Sequence, residues 1–120
     1  MADTVDVWRL FTMRDGTSAM ERLKVNVEGG HSRLFSGQGV EIRVMEGGNE
    51  AVWHVGPRRQ LIATISGEGE LETGDGQKLT VKPGVLTLIE DLTGKGHLTR
   101  NAAGGRVCVF MPLDPDVKVE

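Results

Sequence analysis

One cysteine in the chain rules out an internal disulfide. Cys108 lies in the apolar run Val107-Cys108-Val109-Phe110, a setting for a buried, inert thiol rather than a reactive one. No stretch approaches the ~20 consecutive apolar residues that a membrane-spanning helix requires. The first twenty residues carry Asp3, Asp6, Arg9 and Arg14, so they hold no apolar signal core. A cytoplasmic protein with no membrane partner is the expectation. Basic residues are neither abundant nor clustered. Fourteen Lys and Arg against 17 Asp and Glu give a net charge of −3, the wrong balance for gripping a phosphate backbone, so nucleic acid is not an expected partner. Sustained helical periodicity is missing too, and only Thr17 to Leu23 reads as a helical turn. No linker, low-complexity segment or internal repeat interrupts the 120 residues, which have the length of one domain, 1–120.

What the chain does have is glycine and alternation. Seventeen glycines cut it into short pieces such as Val5 to Leu10, Leu23 to Val27, Val40 to Val44 and Leu79 to Val81, in which apolar and polar residues alternate. Period two between turn residues marks half-buried antiparallel strands. Gly74-Asp75-Gly76 between Glu70–Thr73 and Lys78–Val81 predicts a hairpin, with Asp-Gly supplying the positive φ of a primed turn. Val85 to Ile89 and Val107 to Met111 are more continuously apolar, as strands covered on both faces are. About ten short strands at this spacing predict an all-β sandwich or small barrel. Met1 to Leu10 reads as a strand free to pair on its own sheet or on a neighbour's edge, and Asp114 to Glu120 as a loose tail or short edge strand.

Two stretches carry the chemistry. The first runs from Trp53-His54-Val55-Gly56-Pro57-Arg58-Arg59-Gln60 to Ser66-Gly67. The second begins at Lys82-Pro83-Gly84, passes through Glu90-Asp91 and ends at Gly94-Lys95-Gly96-His97. If Gln60 points inward, Ile62, Thr64 and Ser66 follow it, while Leu61, Ala63 and Ile65 take the other face. By the same rule His97 shares a face with Thr99 and Asn101.

Over roughly residues 40 to 112 these stretches resemble the paired motifs of a small single-domain bacterial cupin. His54 fits the first ligand position, Gln60 falls where that family has Glu, and Gly67 closes the motif. Gly56 stands where the second His belongs, and Pro83, Gly84 and His97 fit the second motif with about two extra residues in the loop. The resemblance implies an all-β, single-domain cupin-type β-barrel, or double-stranded jelly roll. In it His54, Gln60 and His97 converge on one cavity, and the protein is a homodimer by the habit of the family.

Cupin cavities usually hold a metal on three His and one carboxylate, so a divalent ion such as Fe, Mn, Ni or Zn on His54, Gln60 and His97 is one reading. It makes the protein a dioxygenase or lyase. Two imidazoles and an uncharged amide lack the charge that holds a divalent ion. A further ligand would have to come from His31, Glu90 or Asp91. The favoured expectation is therefore a metal-independent isomerase, cyclase or dehydratase without a cofactor. His54 and His97 then exchange protons with a small organic substrate and Gln60 orients it, while the corner left bare by Gly56 gives the ligand room. A third reading is ligand binding without turnover.

Arg58 and Arg59, at the expected barrel mouth, suit either a substrate carboxylate or a rim salt bridge. Trp53 and Thr64 complete the expected substrate-binding set, although Trp53 and Trp8 read more readily as packing anchors than as stacking platforms for a ligand. Glu90 and Asp91 are expected to brace the loop through the backbone N–H groups of residues 93 to 96. His31, between glycines and Ser32, reads as solvated. Thr93-Gly94-Lys95-Gly96 lacks the spacing and the following helix of a phosphate loop.

Overall fold

A computed structural model describes residues 3–48 and 51–120. It contains seven strands and no helix among those residues: β1 (Thr4–Thr12), β2 (Ser18–Asn26), β3 (Glu41–Met45), β4 (Gln60–Glu72), β5 (Lys78–Val81), β6 (Leu86–Glu90) and β7 (Leu98–Pro112). The all-β class is as expected. The strands hydrogen-bond in the order β2-β1-β6-β4-β7-β3, with β5 branching from β4, so the ladder runs open from β2 to β3 rather than closing on itself. Among the described strands only β1 and β6 pair in parallel.

Fewer and longer strands than the expected ten follow from the behaviour of β4 and β7. They pair from Gln60↔Pro112 to Glu72↔Leu98 through register shifts at Thr64/Ser66 and Gly67/Gly69. Bulges bend a strand without ending it. The bulge also ends the simple alternation: Ile65 is the extra residue and is exposed rather than packed. The first half of β4 lies between β6 and β7, and the second half between β5 and β7.

Ser18 to Leu23 is strand, correcting the helical expectation for Thr17 to Leu23. It pairs with β1 from Thr12↔Ser18 to Val7↔Leu23, and the ladder continues to Thr4↔Asn26. A cross-strand partner overrides weak local propensity. The reversal is an Asp15-Gly16 turn of the same design as the expected Asp75-Gly76 turn. In each, the Asp Oδ1 accepts from the backbone N–H two residues on, and the Gly takes positive φ. Among the described residues only glycines have positive φ, so Asp75 stays in the ordinary region. Gly74-Asp75-Gly76 closes as a three-residue loop with left-handed Gly76, not as a primed two-residue turn. The Pro83-Gly84 turn is present, with Val85 N–H donating to Lys82 C=O at 3.0 Å.

β1 is not a free edge. It lies between β2 and β6, so the edges of the sheet are β2, β3 and the branching β5. Alternation splits the apolar residues into two cores. Val7, Val25, Leu61, Leu88, Leu113 and Val119 pack on one face. Leu10, Met20, Leu71, Val81 and Ile89 pack on the other. The neighbours Leu88 and Ile89 thus bury in opposite directions, as expected for a strand covered on both faces, each contributing roughly 1.5–3 kcal/mol. Val119 at 7% exposure shows that the C-terminal segment is packed, neither loose nor a strand. Cys108 is fully buried, as expected.

Candidate functional site

His54 and His97 meet through their backbones. Each donates its N–H to the other's carbonyl at 2.9 Å, a one-pair bridge outside the named strands. The preceding glycine makes that approach possible. A Cβ on Gly96 would sit 2.0 Å from the His54 carbonyl oxygen, at φ +77°. The bridge brings the two imidazoles edge to face, with ring centroids 4.6 Å apart and planes at 63°.

Behind His97 stands Asp91. Its Oδ2 lies 2.5 Å from His97 Nδ1, with both side chains buried. A carboxylate at Nδ1 accepts that proton and leaves Nε2 as the free nitrogen of the neutral ring. Asp91 reaches this position because β6 ends at Glu90 and the chain turns inward. Its carbonyl accepts from Gly56 N–H at 3.0 Å. The loop carrying His97 is tied down by Ser18, which is fully buried: its Oγ donates to Gly96 C=O at 2.6 Å and accepts from Gly74 N–H at 2.7 Å. Lys95 N–H donates to Gly16 C=O, so three turns lock around one hydroxyl.

These histidines open onto a cavity of about 480 Å³. Ile62, Leu71, Ile89 and Phe110 supply apolar wall, and Gln60, Thr99 and Asn101 polar groups, on the faces that alternation assigned to them. Arg43 and Arg106 line it as well, and no Asp or Glu does among the described residues. Gln60 is buried, and its Oε1 accepts from Arg58 Nε at 3.0 Å.

The expected site residues therefore divide. His54, His97 and Gln60 come together. Thr64 lies beneath the cavity, near Arg106 Nη1 at 3.4 Å and Cys108 Sγ at 4.0 Å. Arg58 stands behind Gln60 and faces Glu41 at 3.8 Å. Arg59 does not reach the cavity. One residue before Gln60, it points to the opposite side, where it pairs with Glu90 and donates to the carbonyls of Asp114 and Pro115. A salt bridge is thus the reading that holds for Arg59, on the far side of the sheet rather than at the cavity mouth. Trp53 is likewise absent from the lining, its ring lying under Lys95 Nζ at 5.0 Å. His31 borders a separate depression with Asp3 and Arg33.

Two further expectations are corrected, and one residue is added. Glu90 and Asp91 do not brace the backbone N–H groups of residues 93 to 96: Glu90 binds Arg9 and Arg59, and Asp91 binds His97. The corner beside Gly56 is not open space, because a Cβ there would meet Ile89 Cγ2 at 2.5 Å and Leu92 Cδ2 at 3.2 Å. Finally, a residue not singled out from the sequence, Arg106, enters the site. Its signal was present: it shares strand parity with the inward-facing Cys108 and Phe110, a charge in an apolar register.

The donors available to a metal are His54, His97 and the Gln60 oxygen, and they do not fit a divalent ion well. The amide oxygen is already engaged by Arg58, the lining charges are cationic, and Asp91 is turned to His97 Nδ1. Among the described residues no three His, Cys, Asp or Glu side chains gather as a metal-binding group, and no helix is long and apolar enough to cross a membrane. No protein-family model matches the chain, and no curated protein matches it.

Proposed function

We propose that this chain is a small cupin whose cavity performs metal-independent acid–base chemistry on a small organic substrate, of the isomerase, cyclase or dehydratase type. The observation that carries the reading is the Asp91–His97 pair beside His54. A buried carboxylate on Nδ1 fixes the ring and stabilises the imidazolium that forms when Nε2 takes a proton. His54, exposed on its outer side and 4.6 Å from His97 between ring centroids, is placed to return or relay a proton. Gln60, its oxygen held by Arg58, presents its amide NH₂ to a substrate carbonyl or hydroxyl. Ile62, Leu71, Ile89 and Phe110 give the carbon frame of the substrate an apolar surface to lie against.

The test is proton exchange between D₂O and candidate carbon acids, followed by NMR on chelator-treated protein. The metal-free protein is expected to catalyse the exchange. His97→Gln and His54→Ala are expected to keep ligand binding and lose at least about a hundredfold in rate. Exchange that appears only after re-metallation would overturn the reading, and binding with no exchange in any form of the protein would leave a ligand-binding module.

The homodimer is kept as a proposal, with its seat moved. Since β1 is interior, the edge strand β3 is the better candidate: Ile42 and Val44 are 71% and 79% exposed. A 13 kDa species in sedimentation at micromolar concentration would remove it.

A further inference from the structure

Arg106 is 5% exposed, yet no carboxylate among the described residues pairs with it. Its contacts are Thr64 Oγ1 at 3.4 Å and Met45 Sδ at 3.7 Å, both weak partners for a guanidinium, and its Nε has none. Among the described residues, Arg9, Arg22, Arg33, Arg43, Arg58, Arg59 and Arg100 each face an acidic side chain, and Arg14, which does not, is exposed to solvent. Burial pushes the Arg106 guanidinium below its ordinary value, but arginine keeps its proton in proteins. An uncompensated buried cation is costly unless something supplies the opposite charge.

The surroundings say where that charge comes from. Arg106 lines the cavity shared by His54 and His97, and the second lining cation, Arg43, lies over the Phe110 ring at 4.2 Å. In a protein of net charge −3, this is a pocket whose charged lining is entirely cationic among the described residues. Asn101 borders it too, and its buried Oδ1 also lacks a partner. The volume suits one small organic molecule.

We propose that the cavity binds a small organic acid, its carboxylate forked onto Arg106 with Asn101 bonding a neighbouring hydroxyl or amine, so that the rest of the molecule lies between apolar walls toward the histidines. This names the substrate class of the site proposed above and rests on that reading for its catalytic meaning. The binding claim stands by itself. Arg106 is the residue to which the carboxylate-fork role belongs, in place of Arg59.

Matched probes test it without knowledge of the natural ligand: benzoate against benzamide, and hexanoate against hexanamide, at fixed pH and ionic strength. The readouts are the Arg106 Nε–H resonance and the melting temperature. The acids are expected to move both, and the amides to bind at least tenfold more weakly. Arg106→Met is expected to abolish that preference, with Arg106→Lys retaining part of it because charge remains while the fork is lost. Arg59→Met removes a guanidinium outside the cavity and should leave the preference unchanged. Equal binding of acid and amide by the unaltered protein would overturn the proposal, and needs no variant to fold. So would an acid preference that survives in Arg106→Met. Acid binding at Arg106 with no proton exchange would instead sink the acid–base reading and leave this one standing.

Discussion

The two sides of β6 hold the same kinds of charge and use them oppositely. On one side Glu90 is bound by Arg9 and Arg59, and Arg9 also reaches Glu21 at 2.7 Å, so each of these four charges has a partner from the chain itself. On the other side the next residue, Asp91, is fully buried and is spent on a histidine, while Arg106 across the cavity has no acidic partner among the described residues. Charges matched within the protein brace the sheet. A charge left unmatched in a cavity is poised for something that arrives from outside. The sequence marks Arg106 as a charge in an apolar register, but it does not say which of Arg58, Arg59 and Arg106 finds a partner.

The largest way to disturb this contrast is at the bridge that builds the cavity side. Gly96→Ala should cost on the order of 4 kcal/mol in chemical denaturation, because its Cβ would collide with the His54 carbonyl at 2.0 Å while the backbone is held at φ +77°. A loss below about 1 kcal/mol would mean that the bridge is soft.

Next come the two imidazoles. His97→Leu leaves Asp91 buried and without its partner, and should cost about 3 kcal/mol. His54→Leu, at an exposed position, should cost less than about 0.5 kcal/mol. Equal effects would show that the Asp91 contact is not what distinguishes them.

Smaller and opposite in sign are the arginines. Arg59→Met should destabilise by about 1–2 kcal/mol, since Glu90 loses a charged donor in a mostly buried setting. Arg106→Met should leave the ligand-free protein unchanged or about 1 kcal/mol more stable, since it removes a buried cation with no acidic partner among the described residues. Paired melting curves check both.

The smallest effect is a pH dependence confined to the braced side. Burial raises the Glu90 pKa, but hydrogen bonds from Arg9 and Arg59, reinforced by their charges, outweigh it and hold the carboxyl below its ordinary value. Its folded pKa is therefore below its unfolded one. The stability it contributes is present above the unfolded value near 4.5 and is lost as pH falls through the lower folded value. Glu90→Gln should be the less stable protein at pH 7 and should lose the Glu90 share of this slope below about pH 4. Parallel acid-melting curves would contradict it.

By itself the sequence determined the all-β class, the Asp75-Gly76 hairpin and the faces of Gln60, Ile62, Thr99 and Asn101. These follow from period two and from turn chemistry, which act over a few residues, whereas the meeting of His54 with His97 was expected only from the motif resemblance. Asp15-Gly16 was equally legible, since the same dipeptide makes the same kind of turn. What only the tertiary structure decided was which distant groups share a space. Asp91 met His97 rather than the backbone of its own loop, Ile89 filled the corner beside Gly56, β1 took an interior place, and of several arginines Arg106 alone was buried in the cavity without an acidic partner among the described residues. Partner choice of this kind depends on how strands far apart in the chain are stacked and bent. A bulge such as the one at Ile65 changes that stacking without leaving a mark on local alternation before it.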